Sequence, residues 1–318
     1  MVKSKVLQIL ELNKGNVISG SDMAKIAGAS RNAVWKAVKS LVADGYNIVA
    51  NKGGGYILDE LSNQISVEGI KAHLINDSQV FVFDEVGSTN DICKKMTSEN
   101  ADKVIVVVAN RQSDGRGRRG RSFFSPADEG IYMSVALPLK ISPGDSSLIT
   151  TASAVAVSDA IDRTTGKNTK IKWINDIYLN EKKCAGILTE GIFNLDEPEK
   201  CTIVVGIGIN VTTATFPEEI INTATTIGAV SRNELIANIV DNLVKITQNI
   251  KKRAHFMRYN EKCFVLGRKI TVIKQDETFV AKAKFVDTDG RLIVETNDGK
   301  EIVLYNEEVS TVVNNDEH

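Results

Sequence analysis

Residues Val104–Ala109 form a nearly unbroken β-branched run, the pattern of a strand buried on both faces. Shortly after it stands Gly115-Arg116-Gly117-Arg118-Arg119-Gly120-Arg121. A buried strand cannot continue through four charged side chains in seven residues, so the chain must leave the sheet here as a loop. Glycine lets backbone N–H groups approach a ligand closely. Arginine offers a planar fork of donors suited to phosphate and carboxylate. The whole chain has 39 Lys+Arg against 40 Asp+Glu, so this charge is local and not a basic background. The segment reads as a pliable loop that closes over an anionic ligand. Flanking strands and ordinary neighbours separate it from a disordered RNA-binding tract.

The N-terminal pattern is different. Residues 1–58 hold eight Lys/Arg and three Asp/Glu, which leaves the remainder acidic. Val6, Leu7 and Leu10 have helical spacing. Ser21 is expected to cap a short helix through Ala27, ended by Gly28. Ser30 is expected to cap a third helix with Val34, Val38 and Leu41 on one stripe, stopped at Asp44-Gly45. Ile48-Val49-Ala50 and Tyr56-Ile57-Leu58 read as a hairpin around a glycine-rich tip. Three helices and such a hairpin make a winged helix-turn-helix. Arg31, Asn32, Trp35, Lys36 and Lys39 lie away from the apolar stripe, a face suited to a DNA major groove, with Lys52 on the wing for phosphate. One module reads a half-site, so a symmetric dimer is expected.

Asp59 to Gln64 is a polar link, after which strands and helices alternate. Helical signals cover 65–75, a stretch from Asp91, 148–161 and one long span over 233–259. Strand signals cover 80–84, 104–109, 130–137, 171–174, 185–192 and 202–209. This is an α+β pattern with a mainly antiparallel sheet. Polar segments Gly87–Asn90, Gln112–Arg121 and Lys172–Asp176 fall at strand ends, where rigid scaffolds usually carry binding sites. Taken singly, Ser88-Thr89-Asn90 is also a helix cap and Asn175-Asp176 also a turn. Gly206–Asn210 has Gly-x-Gly only, with no helix following. From Leu266, short alternating strands with turns at Asp289-Gly290 and Asp298-Gly299 suggest a small SH3-like barrel. The reading is therefore three domains: 1–62, 63–264 and 265–318.

Length alone allows two or three domains. No apolar run is long enough to cross a bilayer, and the N-terminus lacks a signal-peptide core, so a cytoplasmic protein is expected. Cys93, Cys184, Cys201 and Cys263 are scattered singly, which favours reduced buried thiols over disulfides or zinc. His73, His255 and His318 are far apart.

The three regions in this order resemble the bifunctional biotin protein ligases that also act as biotin operon repressors. The motifs are Ser88-Thr89-Asn90, Gln112 with Gly115–Arg121, Lys172–Asp176 with Lys183 and Gly186-Ile187, and Gly206–Asn210. The resemblance implies activation of biotin with ATP and Mg²⁺, then transfer to a lysine of the biotin carboxyl carrier protein. It implies an adenylate-bound homodimer on operator DNA. It assigns biotin to Ser88, Thr89, Asn90, Gln112, Gly115, Arg116, Gly117, Arg118 and Lys183. It assigns the nucleotide to Arg118, Arg121, Lys172, Asn175 and Asn210, with Lys183, Arg118 and Asp176 catalytic and Asp176 facing Mg²⁺. Two positions depart from the family's pattern. Ile174 stands where proline is usual, and Phe123 where some members have tryptophan. Two other readings share the fold: a repressor that only senses a small molecule, and a lipoate ligase.

Overall fold

A computed structural model describes residues 2–60, 62–97, 102–142, 145–193, 200–274 and 277–311. His318 lies outside the described residues. The N-terminal unit contains α1 (Val2–Leu12), α2 (Gly20–Ala27), α3 (Arg31–Ala43), β1 (Ile48–Ala50) and β2 (Tyr56–Leu58). Val34, Val38 and Leu41 join Val6, Leu7 and Leu10 in an apolar cluster of its own. β1 and β2 pair antiparallel, with Ile48 opposite Leu58. Ser30 caps α3 by accepting from the Ala33 N–H. The cap of α2 is Ser19, not Ser21. Ser19 Oγ accepts from the Asp22 N–H at 3.0 Å and lies 2.6 Å from the Asp22 carboxylate. The Ser19 hydroxyl thus bonds both the Asp22 N–H and the Asp22 carboxylate, and Ser21 falls inside the helix.

The central sheet has seven strands in the order β3-β4-β5-β9-β8-β7-β6. They are β3 (Gln79–Val86), β4 (Ile105–Gln112), β5 (Gly130–Leu139), β6 (Lys170–Lys172), β7 (Asp176–Leu179), β8 (Lys182–Phe193) and β9 (Cys201–Asn210). Only β3 and β4 pair in parallel among the described strands. Helices α4 (Val67–His73), α5 (Thr89–Thr97), α6 (Ser146–Thr165), α7 (Arg232–Thr247) and α8 (His255–Lys262) accompany it. β4 is buried on both sides, as its sequence requires. Val106 and Val108 join the main core with α6, and Ile105 and Val107 pack with Cys93 of α5.

The pattern over 233–259 is not one helix. It breaks after Thr247 into a 3₁₀ turn at Ile250–Lys252, with Arg253 left-handed at φ 56°. Thr247 and Asn249 are weak helix formers, and the buried Ile250 anchors the turn. The break places Tyr259 of α8 so that its hydroxyl donates to Ile174 O at 3.1 Å.

The C-terminal part is a five-stranded antiparallel sheet in the order β13-β12-β11-β10-β14. Its strands are β10 (Lys269–Lys274), β11 (Glu277–Val286), β12 (Leu292–Thr296), β13 (Glu301–Leu304) and β14 (Glu308–Thr311). It shares one apolar cluster with the central unit, through Ile270, Val272 and Ala281 among others.

The N-terminal unit meets the rest through a polar joint. Arg232 and Asn233, both buried, begin α7. Arg232 Nε donates to Asn63 O at 3.0 Å and its Nη1 to Gly130 O at 3.2 Å. Asn233 Nδ2 donates to Gln64 O at 3.0 Å and to Glu11 Oε1 on α1 at 3.1 Å. Burial pushes the Glu11 carboxyl above its ordinary pKa, against the pull of Lys14 and the Asn233 bond. A carboxyl raised on folding costs stability as pH rises from the ordinary carboxylate range through its folded value. Glu11→Gln should therefore raise the melting midpoint more at pH 7 than at about pH 4. Equal shifts in thermal melts at both pH values would contradict this.

Candidate functional site

A cavity of about 340 Å³ opens where the three polar strand-end segments meet. Its two ends differ in chemistry. The first end presents mainly uncharged polar groups, with the Glu190 carboxylate tied to Asn90 and Lys94; it is built at the start of α5, where Ser88, Thr89 and Asn90 are all buried. The Thr89 N–H donates to Gln112 Oε1 at 2.9 Å, and the Thr89 hydroxyl lies 3.0 Å from the same oxygen. Gln112 Nε2 donates to Ser125 Oγ at 3.1 Å. Asn90 Nδ2 donates to Glu190 Oε2 at 2.6 Å, and Asn90 Oδ1 accepts from Ser134 Oγ at 2.6 Å. Lys94 pairs with Glu190. Burial pushes the Glu190 carboxyl up, but its bonds from Lys94 and Asn90 outweigh this and hold it below the ordinary value.

Two glycines of β9 make this floor possible. A Cβ on Gly206 would lie 2.4 Å from Asn90 Oδ1, and one on Gly208 would lie 2.4 Å from the Phe123 ring. The Gly-x-Gly of this strand is thus a clearing for side chains laid flat on the sheet.

The other end is cationic. Lys183 Nζ lies 2.8 Å from Asp176 Oδ1. That oxygen is buried and takes no hydrogen bond, so the contact is an ion pair without hydrogen-bond alignment. Burial lowers the Lys172 pKa, against the pull of Asp176 and Glu308. The arginine loop contains a 3₁₀ turn at Arg118–Gly120, with Arg119 left-handed at φ 58°. Arg116 pairs with Asp91. Arg118 Nη1 donates to Asn175 Oδ1 at 3.0 Å and its Nη2 to Asn306 O at 2.9 Å. Arg121 Nη2 lies 2.7 Å from both carboxylate oxygens of Glu308. Burial and Arg119 push the Arg118 pKa down, yet a guanidinium stays charged.

Of the residues singled out in the sequence, Ser88, Thr89, Asn90, Gln112, Arg116 and Gly117 line the cavity. So do Arg118, Arg121, Lys172, Asn175, Asp176 and Lys183. Two do not. Gly115 lies behind the wall, where a Cβ would meet Phe123 O at 2.5 Å. Asn210 turns its Nδ2 to Thr225 O at 3.2 Å, so it braces the segment after β9 and leaves the cavity wall. Ile174, the position of the usual proline, is buried and follows a cis peptide bond. Ser134, Glu190 and Lys94 went unnoticed in the sequence. The one signal was a serine inside the apolar strand 131–137. On α3, Arg31, Asn32, Lys36 and Lys39 are exposed, Trp35 is 45% exposed under the Lys39 ammonium, and Lys52 is exposed in the hairpin loop.

Three family profiles match in order: an HTH domain over 2–57, the Biotin/lipoate A/B protein ligase family over 82–210, and the Biotin protein ligase C terminal domain over 265–307. Matched in this order, they make the chain similar to the biotin protein ligases along most of its length. It is 28% identical over 314 residues to the bifunctional ligase/repressor BirA of Bacillus subtilis, covering 94% of this chain and 95% of the relative. It is 26% identical over 296 residues to the bifunctional ligase/repressor BirA of Escherichia coli, covering 89% and 90%. Biotin protein ligase from Aquifex aeolicus, in complex with biotin and ATP, superposes with a TM-score of 0.60 at 27% identity, over 74% of this chain and 99% of that one. Among the described residues of this biotin ligase homologue, no helix is long and apolar enough to cross a membrane. All four cysteines are free and buried.

The ligase floor yields a direct test. Gly208→Ala should force Phe123 off the sheet and cost about 1–3 kcal/mol of stability, as overpacking does. Phe123→Ala in the same chain should recover much of that loss. Denaturant unfolding of the single and double variants reads this, and a Gly208→Ala protein of unchanged stability would contradict the packing.

Proposed function

We propose that this cavity joins biotin to ATP as biotinyl-5'-AMP and hands the biotin to a lysine of the biotin carboxyl carrier protein. The adenylate-bound chain then dimerises on operator DNA and represses biotin genes. The main support is one cavity with an uncharged hydrogen-bonding end and a cationic end. A ureido ring needs donors and acceptors without charge, since an unpaired buried polar group costs about 1–3 kcal/mol. The side chains of Thr89, Asn90 and Gln112 offer both. Lipoate's ring offers no such partners, and a sensor needs no Lys183 beside an arginine loop.

The chemistry follows from charge. Biotin's carboxylate must approach the α-phosphate of ATP, and both are anions. Lys183 holds the carboxylate, while Lys172, Arg118 and Arg121 hold phosphate oxygens, with Asn175 fixing Arg118. Positioning and electrostatic stabilisation are the main catalytic means in phosphoryl-type transfer. Arg118 and Arg121 are already held by Asn306 and Glu308, so the nucleotide must take them over. Among the described residues, no group of three or more His, Cys, Asp or Glu could hold a metal alone. Mg²⁺ commonly uses one or two carboxylates plus substrate phosphates. Asp176 is the carboxylate at the cationic end of the cavity, and its buried Oδ1, now paired with the Lys183 ammonium at 2.8 Å, would meet the ion. The ion supplies charge neutralisation at the phosphates.

In the second step the carrier lysine attacks the mixed anhydride, and the loop 115–121 must exclude water until then. We place the reaction in the cytoplasm, which suits ATP chemistry and reduced thiols.

Incubation with biotin, ATP, Mg²⁺ and a carrier domain should add one biotin to the carrier by intact mass, and an unmodified carrier would overturn the reading. Arg118→Gly should let the adenylate escape and label lysines indiscriminately; retention as tight as in the parent would contradict its role. Arg31→Ala and Lys36→Ala should weaken operator binding with ligation near normal. If Lys36 touches phosphate, the salt slope should fall by about 1. Equal operator affinity with and without biotinyl-5'-AMP would defeat ligand control.

A further inference from the structure

We infer that Ser134 and Glu190 are positioning residues that lock the Asn90 carboxamide in one orientation and so decide which polar atoms the cavity offers to biotin's ring. This rests on the biotin ligase reading above. A carboxamide turned by a half rotation has nearly the same shape with donor and acceptor exchanged. Here the two ends face unlike partners. Glu190 Oε2, an acceptor only, stands 2.6 Å from Asn90 Nδ2. Ser134 Oγ stands 2.6 Å from Asn90 Oδ1. A rotated carboxamide would press its oxygen on the carboxylate. Lys94 keeps Glu190 paired from the far side. Gly206 lets the carboxamide lie against β9, where a Cβ would touch Oδ1 at 2.4 Å.

The hydroxyl protons extend the effect to Gln112. Ser134 and Thr89 have one proton each, but they share three contacts. Asn90 Oδ1 has no proton to give, so the Ser134 proton goes there. The Thr89 proton then chooses between Ser134 Oγ at 2.7 Å and Gln112 Oε1 at 3.0 Å. When it turns to Ser134, Gln112 Oε1 keeps only the Thr89 N–H and has a lone pair free for a ring N–H of the ligand. Ser134 is completely buried, so it acts through its two neighbours and not by touching ligand.

Biotin-dependent pyrophosphate release tests this. Ser134→Ala and Glu190→Gln should each raise KM for biotin by about tenfold, equivalent to about 1.4 kcal/mol, with kcat and KM for ATP near the parent values. Glu190→Gln lies at a half-exposed position and carries the test if Ser134→Ala fails to fold. An active parent whose variants keep the parental KM for biotin would overturn the inference. So would variants that lose kcat alone or weaken ATP equally, since that is a general structural effect. A parent that never releases pyrophosphate would instead defeat the ligase reading beneath it.

Discussion

Two negative charges do not share a small cavity unless fixed positive charge is already waiting there. Lys183 comes from β8, Lys172 from the end of β6, and Arg118 and Arg121 from the loop after β4. Arg118 and Arg121 share one loop, but that loop, Lys172 and Lys183 come from three separate stretches of the chain. The sheet and its loop bring them to one cavity. Asp176, Asn175, Asn306 and Glu308 hold the cations meanwhile. Preorganised charge of this kind acts strongly because little has to move when the reacting charges develop.

The uncharged end depends on the same sheet by another route. β5, β8 and β9 present Ser134, Glu190 and the bare Gly206 to one side chain, Asn90, while Gly208 makes room for Phe123. The C-terminal sheet adds a further wall, since Asn306 and Glu308 reach the arginine loop while Trp173 donates to Gly290 O at 3.1 Å. The N-terminal unit stands apart in its own apolar cluster, joined through Arg232, Asn233 and Glu11.

Much of this is legible in the sequence. The β-branched run of β4, the stripe of α3 and the hairpin spacing are local patterns with one good solution each. The three polar segments lie at strand ends and converge on one cavity. What escaped was non-local or finely local. Ser134 and Glu190 acquire meaning only when separate strands align around Asn90. Asn210 follows the glycines of β9, but its amide is consumed by Thr225, and adjacency along the chain cannot reveal that. Ser19 and Ser21 differ as caps only through Asp22. The helical pattern over 233–259 survives its break because apolar spacing resumes in α8.

The most direct measurement is biotin-dependent exchange of labelled pyrophosphate into ATP by the purified chain, with Mg²⁺ and no carrier protein. The account predicts exchange that requires biotin and collapses when Lys183 is replaced by Met. Exchange no faster with biotin than without it, or undiminished in Lys183→Met, would contradict the claim that this cavity's cations bring the two anions together.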